Sequence, residues 1–198
     1  MSDDMPYRMA VVLLFAGAIT ITAYHRLQAA RSGERFDHRQ EGLLLAVVLR
    51  LAGLTLFATT LLYLVRPEAV AFASLPLAAG LRWSGAGLGA GGVALLYATL
   101  TNLGRNLTDT VALRDAATLV TTGPYRWVRH PFYVSTALLI LGVSLLTANW
   151  LVAACGVVVI TLLVLRTPTE EQKLIERFGE AYRQYMATTG RFLPRLGS

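Results

Sequence analysis

The stretch Gly123-Pro124-Tyr125-Arg126-Trp127-Val128-Arg129-His130-Pro131-Phe132-Tyr133 sets two arginines, a histidine and four aromatic residues against an apolar run that continues to Leu165. Pro131 suits the first turn of a helix starting there, so the free backbone N–H groups of that helix end open beside Arg129 and His130, where an anion is stabilised. The same residues also suit a membrane boundary. Tyr125, Trp127, Phe132 and Tyr133 fit an aromatic belt, and Arg126 with Trp127 fits an anchor at lipid headgroups.

A second constellation begins at Arg166-Thr167-Pro168-Thr169-Glu170-Glu171. Thr167 suits an N-cap, Pro168 the first helical position and Glu170 a capping-box carboxylate, so the spacing predicts a new helix here. Steps of about 100° put Leu174, Ile175, Phe178, Ala181, Tyr182 and Tyr185 on one stripe, with Lys173, Glu176, Glu180 and Arg183 turned away. Glu171 falls near the middle of that stripe, where an ionised carboxylate is costly unless a cation or several donors meet it. Glu170 alone could merely complement a positive helix end. The pair, with Arg166 one turn upstream, reads as a site.

The elements that position these residues are membrane spans. Of 198 residues 55% are hydrophobic and 15% charged, and the mean hydropathy is +0.52, outside the soluble range. Apolar segments run Met9–Tyr24, Leu43–Val65, Trp83–Leu103, Phe132–Leu146 and Trp150–Leu165, which predicts five spans. The last two form a hairpin with Thr147-Ala148-Asn149 at its tip, because one helix over Phe132–Leu165 would reach about 50 Å against a hydrocarbon core of about 30 Å. The N-terminus lacks a basic stretch before its first apolar run, so Met9–Tyr24 reads as a retained helix rather than a cleaved signal. Ala69–Leu81 is apolar but short and contains Pro76, which suits a re-entrant or interfacial piece.

Basic residues alternate between the loops. Arg8 precedes the first span, Arg26, Arg31, Arg35 and Arg39 follow it, and Arg66 and Arg82 follow the second. Arg105, Arg114, Arg126 and Arg129 follow the third, the hairpin tip has none, and Arg166, Lys173, Arg177, Arg183, Arg191 and Arg195 follow the fifth. The positive-inside rule then puts the N-terminus outside, with the Arg129 motif and the tail together in the cytoplasm. The net charge of +6 is thus a matter of topology, and no nucleic-acid motif accompanies it. Arg50 lies inside the second span, where charge is expensive. Cys155 is the single cysteine, and His25 and His38 share no ligand spacing, so no metal is indicated. Gly87-x-Gly89-x-x-Gly92 matches a dinucleotide fingerprint only formally. Without a βαβ unit it reads as close packing of membrane helices through small residues.

At these residues the chain resembles the isoprenylcysteine carboxyl methyltransferase family and the related phospholipid N-methyltransferases. The resemblance runs from Leu103-Gly104-Arg105-Asn106 through Leu119-Val120-Thr121-x-Gly123-Pro124-Tyr125-Arg126-x-Val128-Arg129-His130-Pro131-x-Tyr133. It continues in Arg166-x-x-x-Glu170-Glu171-x-x-Leu174-x-x-x-Phe178-Gly179-x-x-Tyr182-x-x-Tyr185 and ends at Arg191-x-x-Pro194. Ala117 departs from a frequent histidine, and Ser135 from a glycine that permits close helix packing.

The resemblance implies an S-adenosylmethionine-dependent membrane methyltransferase with a cytoplasm-facing pocket. By position, Thr118, Leu119, Val120, Tyr125, His130, Pro131, Phe132 and Tyr133 line the cofactor, Glu170 holds its amino-acid end, and Arg166 and Arg129 face the acceptor. The helical wheel favours Glu171 as the buried carboxylate where the resemblance favours Glu170, and both are carried as cofactor ligands. The expected acceptor is a lipophilic or prenylated molecule, first an isoprenylcysteine carboxylate and second an aminophospholipid amine. A sterol-reductase-like enzyme using NADPH and a non-enzymatic membrane scaffold are the readings from other classes. The expected fold is all-α and integral to the membrane, one domain over 1–198, with about five transmembrane helices. Three spans occupy 1–103, and 104–198 carries the cofactor-binding loop, the helical hairpin and a cytoplasmic amphipathic tail helix.

Overall fold

The computed structural model describes residues 4–30, 43–104 and 118–195. Six α-helices follow one another among them: α1 (Met5–Ala30), α2 (Leu43–Val65), α3 (Ala79–Leu103), α4 (Pro131–Thr147), α5 (Trp150–Phe178) and α6 (Glu180–Thr188). Four of these, α1, α2, α3 and α5, are long and apolar enough to cross a membrane, and α4 is a shorter apolar helix. Leu51, Leu54, Phe57, Leu61 and Val65 are exposed along α2, as expected of a surface solvated by lipid. This is an integral membrane protein. Arg50 is exposed on α2, and Arg105, Asn106, Ala117 and His38 lie outside the described residues.

Small residues let α3 and α4 touch backbone to backbone. A Cβ on Gly142 would stand 2.6 Å from the Gly85 carbonyl oxygen and 2.7 Å from the Gly89 nitrogen, and one on Gly92 would stand 3.0 Å from the Ser135 carbonyl oxygen. Gly89 also backs onto Leu14 of α1, whereas Gly87 and Gly91 face open space. The glycine run is therefore a packing device, as the absence of a βαβ unit required. Ser135 is fully buried in this seam, its Oγ donating to the Phe132 carbonyl at 2.8 Å. Its hydroxyl is thus satisfied within its own helix.

The hairpin tip falls where the sequence placed it. Ala148 takes the left-handed conformation, and the Asn149 side chain accepts from the Leu151 and Val152 N–H groups to cap α5. The same side chain donates to the Val70 carbonyl at 3.0 Å, and Leu75 N donates to the Ala148 carbonyl at 2.7 Å. The segment after α2 is thereby a 3-10 helix over Pro67–Ala73 followed by irregular chain that packs on the tip. Arg82 stands nearby, donating to the terminal Leu146 carbonyl of α4 at 2.8 and 3.1 Å. It also pairs with Asp4 at 2.6 Å and lies over the Tyr7 ring at 3.6 Å.

The tail differs from the sequence expectation. No new helix starts at Thr167, because α5 runs unbroken through Pro168 to Phe178. Thr167 is buried rather than capping, and its Oγ1 donates to the Leu163 carbonyl at 3.0 Å. Proline inside a helix costs about 3 kcal/mol. Burial of the row Leu163, Thr167 and Glu171, spaced by four along one face, offsets that cost. The break comes at Gly179, whose φ of 57° ends α5, so the amphipathic stripe is divided between two helices. At about 1.5 Å per residue α5 outruns α4 by roughly four-tenths of its own length, and this overhang carries Glu170 and Glu171 to the level of the α4 start.

Candidate active site

The approach to α4 is built from two tight features. Gly123, with φ of 58°, opens a 3-10 turn over Gly123–Arg126, and a side chain there would collide with the Asn102 amide at the end of α3. Tyr185 of α6 donates its hydroxyl to the Tyr125 carbonyl at 2.5 Å. Burial, opposed by the Arg129 charge, pushes the Tyr185 phenol up to about 12, so it stays protonated as a donor. Val128 then pairs with Gly190 in a parallel bridge. The Arg129 and His130 N–H groups donate to the Gly190 and Arg191 carbonyls at 2.8 and 3.1 Å. The tail thus pairs with the backbone just before α4, beside the helix end that the sequence marked as open to an anion.

Glu171 is the hub. It is 3% exposed, and its Oε1 accepts from Arg129 Nε at 3.0 Å and Arg129 Nη2 at 2.9 Å. His130 Nε2 lies 3.2 Å from the same oxygen, and Arg191 donates Nη2 to Oε2 and Nε to Oε1. The cation that a buried carboxylate demands is thus supplied twice. Arg129 also gives Nη1 to the Met186 carbonyl at 3.3 Å and to the Thr189 carbonyl. Its guanidinium is committed to Glu171 and the tail, not turned towards a separate acceptor.

Glu170, the next residue, has other surroundings. It is half-buried and accepts a hydrogen bond from the Tyr133 hydroxyl at 2.5 Å. Tyr133 stacks on His130 with ring centres 5.3 Å apart, and Phe192 from the tail lies 6.4 Å from Tyr133 and 5.8 Å from His130. The Tyr125 phenol is raised by burial and further by the Glu170 charge, which puts Tyr125 within electrostatic reach of that carboxylate. Arg166 is half-buried one turn before Glu170, its charge felt at Tyr133. Pro131 is buried at the helix start and Phe132 is 38% exposed beside it. Leu119 and Val120 are half-buried and Thr118 exposed in the irregular chain leading in. Trp127 is exposed, with the Arg126 guanidinium 4.6 Å over its ring, as an interfacial anchor would be.

Of the sequence candidates, the structure brings Arg129, His130, Tyr133, Glu170 and Glu171 into one bonded cluster. Arg191 and Phe192 belong to that cluster without having been given a role from sequence. The signal for Arg191 was present in the need of a buried Glu171 for a cation, while nothing in the spacing marked Phe192. Among the described residues no group of three His, Cys, Asp or Glu side chains is placed to hold a metal ion.

Comparison with known proteins bears on the same region. Residues 87–176 match the family described as isoprenylcysteine carboxyl methyltransferase (ICMT). The chain is 36% identical over 109 residues to protein-S-isoprenylcysteine O-methyltransferase of Mus musculus, covering 52% of this chain and 38% of that one. It is 31% identical over 105 residues to the nickel-cobalt-cadmium resistance protein NccN of Alcaligenes xylosoxydans xylosoxydans, covering 52% and 49%. The chain thus spans less than half the length of these curated relatives. The solved structure of the eukaryotic intramembrane Ras methyltransferase ICMT superposes with a TM-score of 0.56 at 20% identity, over 93% of this chain and 67% of that one. That likeness is one of fold.

Proposed function

We propose that the chain, whose residues 87–176 match the isoprenylcysteine carboxyl methyltransferase family, is a membrane methyltransferase. Its methyl donor is S-adenosylmethionine, and its acceptor is a lipophilic carboxylate of the isoprenylcysteine type. The observation that carries the assignment is the division between the two glutamates. Glu171 is saturated by Arg129, Arg191 and His130, whereas Glu170, among the described residues, keeps acceptor capacity beyond its bond from Tyr133. A carboxylate so placed, beside the aromatic rings of Tyr133 and Phe192, fits the ammonium of an amino-acid moiety. Glu170 is accordingly the cofactor ligand and Glu171 the residue that positions the cluster.

When bound, the cofactor supplies a methyl group already activated on a sulfonium, so the protein needs to orient and dry the site rather than furnish a metal. Pro131, Phe132, Tyr125 and the chain from Thr118 to Val120 would line the cofactor, beside His130 and Tyr133, which bond Glu171 and Glu170. Arg166 orients the acceptor. Its planar fork matches a carboxylate, which attacks without a general base. Arg129 acts through Glu171 and the tail, as a positioning residue. An aminophospholipid acceptor is the second reading, and there a proton must leave the amine, for which Glu170 is the candidate sink. The site and tail face the cytoplasm and the N-terminus lies outside.

Calorimetry of the purified protein in detergent tests the proposal, with S-adenosylhomocysteine set against NADPH. Saturable binding of the adenosyl ligand alone is expected. Binding of NADPH alone would move the chain to the reductase reading.

A further inference from the structure

The tail beyond α6 turns back onto the site and is fastened at one end. Thr189 is buried, the Gly190 and Arg191 carbonyls accept from Arg129 and His130, and Arg191 reaches Glu171 through two nitrogens. A Cβ on Gly190 would run into the Leu193 carbonyl, so the turn over 190–193 is tight. That turn throws Phe192 back over His130 and Tyr133. Past it the chain is open, with Leu193 77% exposed. The Arg191 side chain is itself 43% exposed, so the latch borders water and opens at lower cost than the helical core.

Resting on the methyltransferase reading, we infer that Thr189–Pro194 is a strap over the cofactor side of the site, with Phe192 as a further ligand-binding residue. Tyr133 joins the strap to the carboxylate, since it bonds Glu170 and stacks with Phe192. A ligand whose ammonium sits at Glu170 therefore lies against the Phe192–Tyr133 pair. An aromatic face attracts that cation, and excluding water strengthens its attraction to Glu170. Arg191 is the latch. It holds the strap through Glu171, the carboxylate not used by the ligand, so closing the strap and binding the ligand do not compete for the same group.

Limited trypsinolysis of the full chain in detergent tests the strap, with cleavage after Arg191 and after Arg195 followed separately by mass spectrometry. Calorimetry with S-adenosylhomocysteine on the same sample establishes binding first. With ligand at ten times Kd, cleavage after Arg191 is expected to slow roughly tenfold, and cleavage after Arg195 to stay unchanged. Phe192→Ala is expected to weaken binding roughly three- to thirtyfold, the range for an aromatic face on a cation, with Phe192→Leu in between. Wild-type protein that binds the ligand yet is cut after Arg191 at an unchanged rate would overturn the strap. So would a Phe192→Ala protein that melts and binds as wild type does. Wild-type protein that binds no adenosyl ligand would instead contradict the methyltransferase reading, and the strap's ligand with it.

Discussion

Glu170 and Glu171 are adjacent on α5 and sit in opposite circumstances. Glu171 is buried against two arginines and a histidine, while Glu170 is half-buried and bonded to Tyr133. Neighbouring helix positions differ by about 100° in direction, which is enough to send one carboxylate into the protein and the other to its mouth. The two are expected to fail differently. Glu171→Gln leaves Arg129 and Arg191 without their buried partner and is expected to lower stability by about 3–5 kcal/mol. Glu170→Gln is expected to leave unfolding unchanged and weaken S-adenosylhomocysteine binding by about 1.5–3 kcal/mol. Thermal unfolding and calorimetry on both variants separate the roles, and the reverse pattern would exchange them.

Arg166→Ala is expected to bind S-adenosylhomocysteine nearly as wild type does and to lose methyl transfer. Arg166→Lys keeps the charge without the planar fork and is expected to restore little activity. Loss of cofactor affinity in Arg166→Ala on the scale of Glu170→Gln would assign the arginine to the cofactor instead of the acceptor.

The α3–α4 seam gives a stability prediction with a control in the same helix. A methyl group on Gly85 or Gly142 meets backbone carbonyl oxygen at 2.6 Å, so Gly85→Ala and Gly142→Ala are expected to destabilise by about 1–3 kcal/mol. Gly87 and Gly91 face open space, and Gly87→Ala and Gly91→Ala are expected to be neutral or to stabilise by about 0.5–1 kcal/mol. Melting curves in detergent compare the four, and equal effects at all of them would dissolve the seam.

Topology is checked with single cysteines in a Cys155→Ala background. Thr118→Cys and Thr188→Cys are expected to resist an impermeant thiol reagent in intact cells and react after lysis, whereas Ser74→Cys is expected to react from outside. All three positions are exposed. External labelling of Thr118→Cys would invert the orientation drawn from the arginine count.

Much of this was legible in the sequence because membrane helices announce themselves. Leu43–Val65 was bounded as it stands, the hairpin tip at Thr147-Ala148-Asn149 followed from the length of the apolar run, and the need of Glu171 for a cation follows from its place on the apolar stripe. What the sequence misread were local signals overridden by tertiary contacts. Thr167-Pro168 is a good helix start, yet burial of Thr167 beside Leu163 and Glu171 carries α5 through it. The tail also pairs with the backbone of Arg129 and His130, just before Pro131, through carbonyls that no side-chain pattern encodes. Phe192 was invisible for the same reason, since its position depends on the turn at Gly190.

The central claim is methyl transfer to a lipophilic carboxylate, and the most direct measurement is incorporation of labelled methyl from S-adenosylmethionine into N-acetyl-S-farnesylcysteine by the purified protein. The expected product releases its label as methanol in base, as a methyl ester does, Arg166→Ala abolishes its formation, and Glu170→Gln lowers it at limiting S-adenosylmethionine. No transfer to that acceptor, with base-stable label appearing in an aminophospholipid instead, would contradict the carboxylate assignment. Absence of transfer to either acceptor by protein that binds S-adenosylhomocysteine would contradict both.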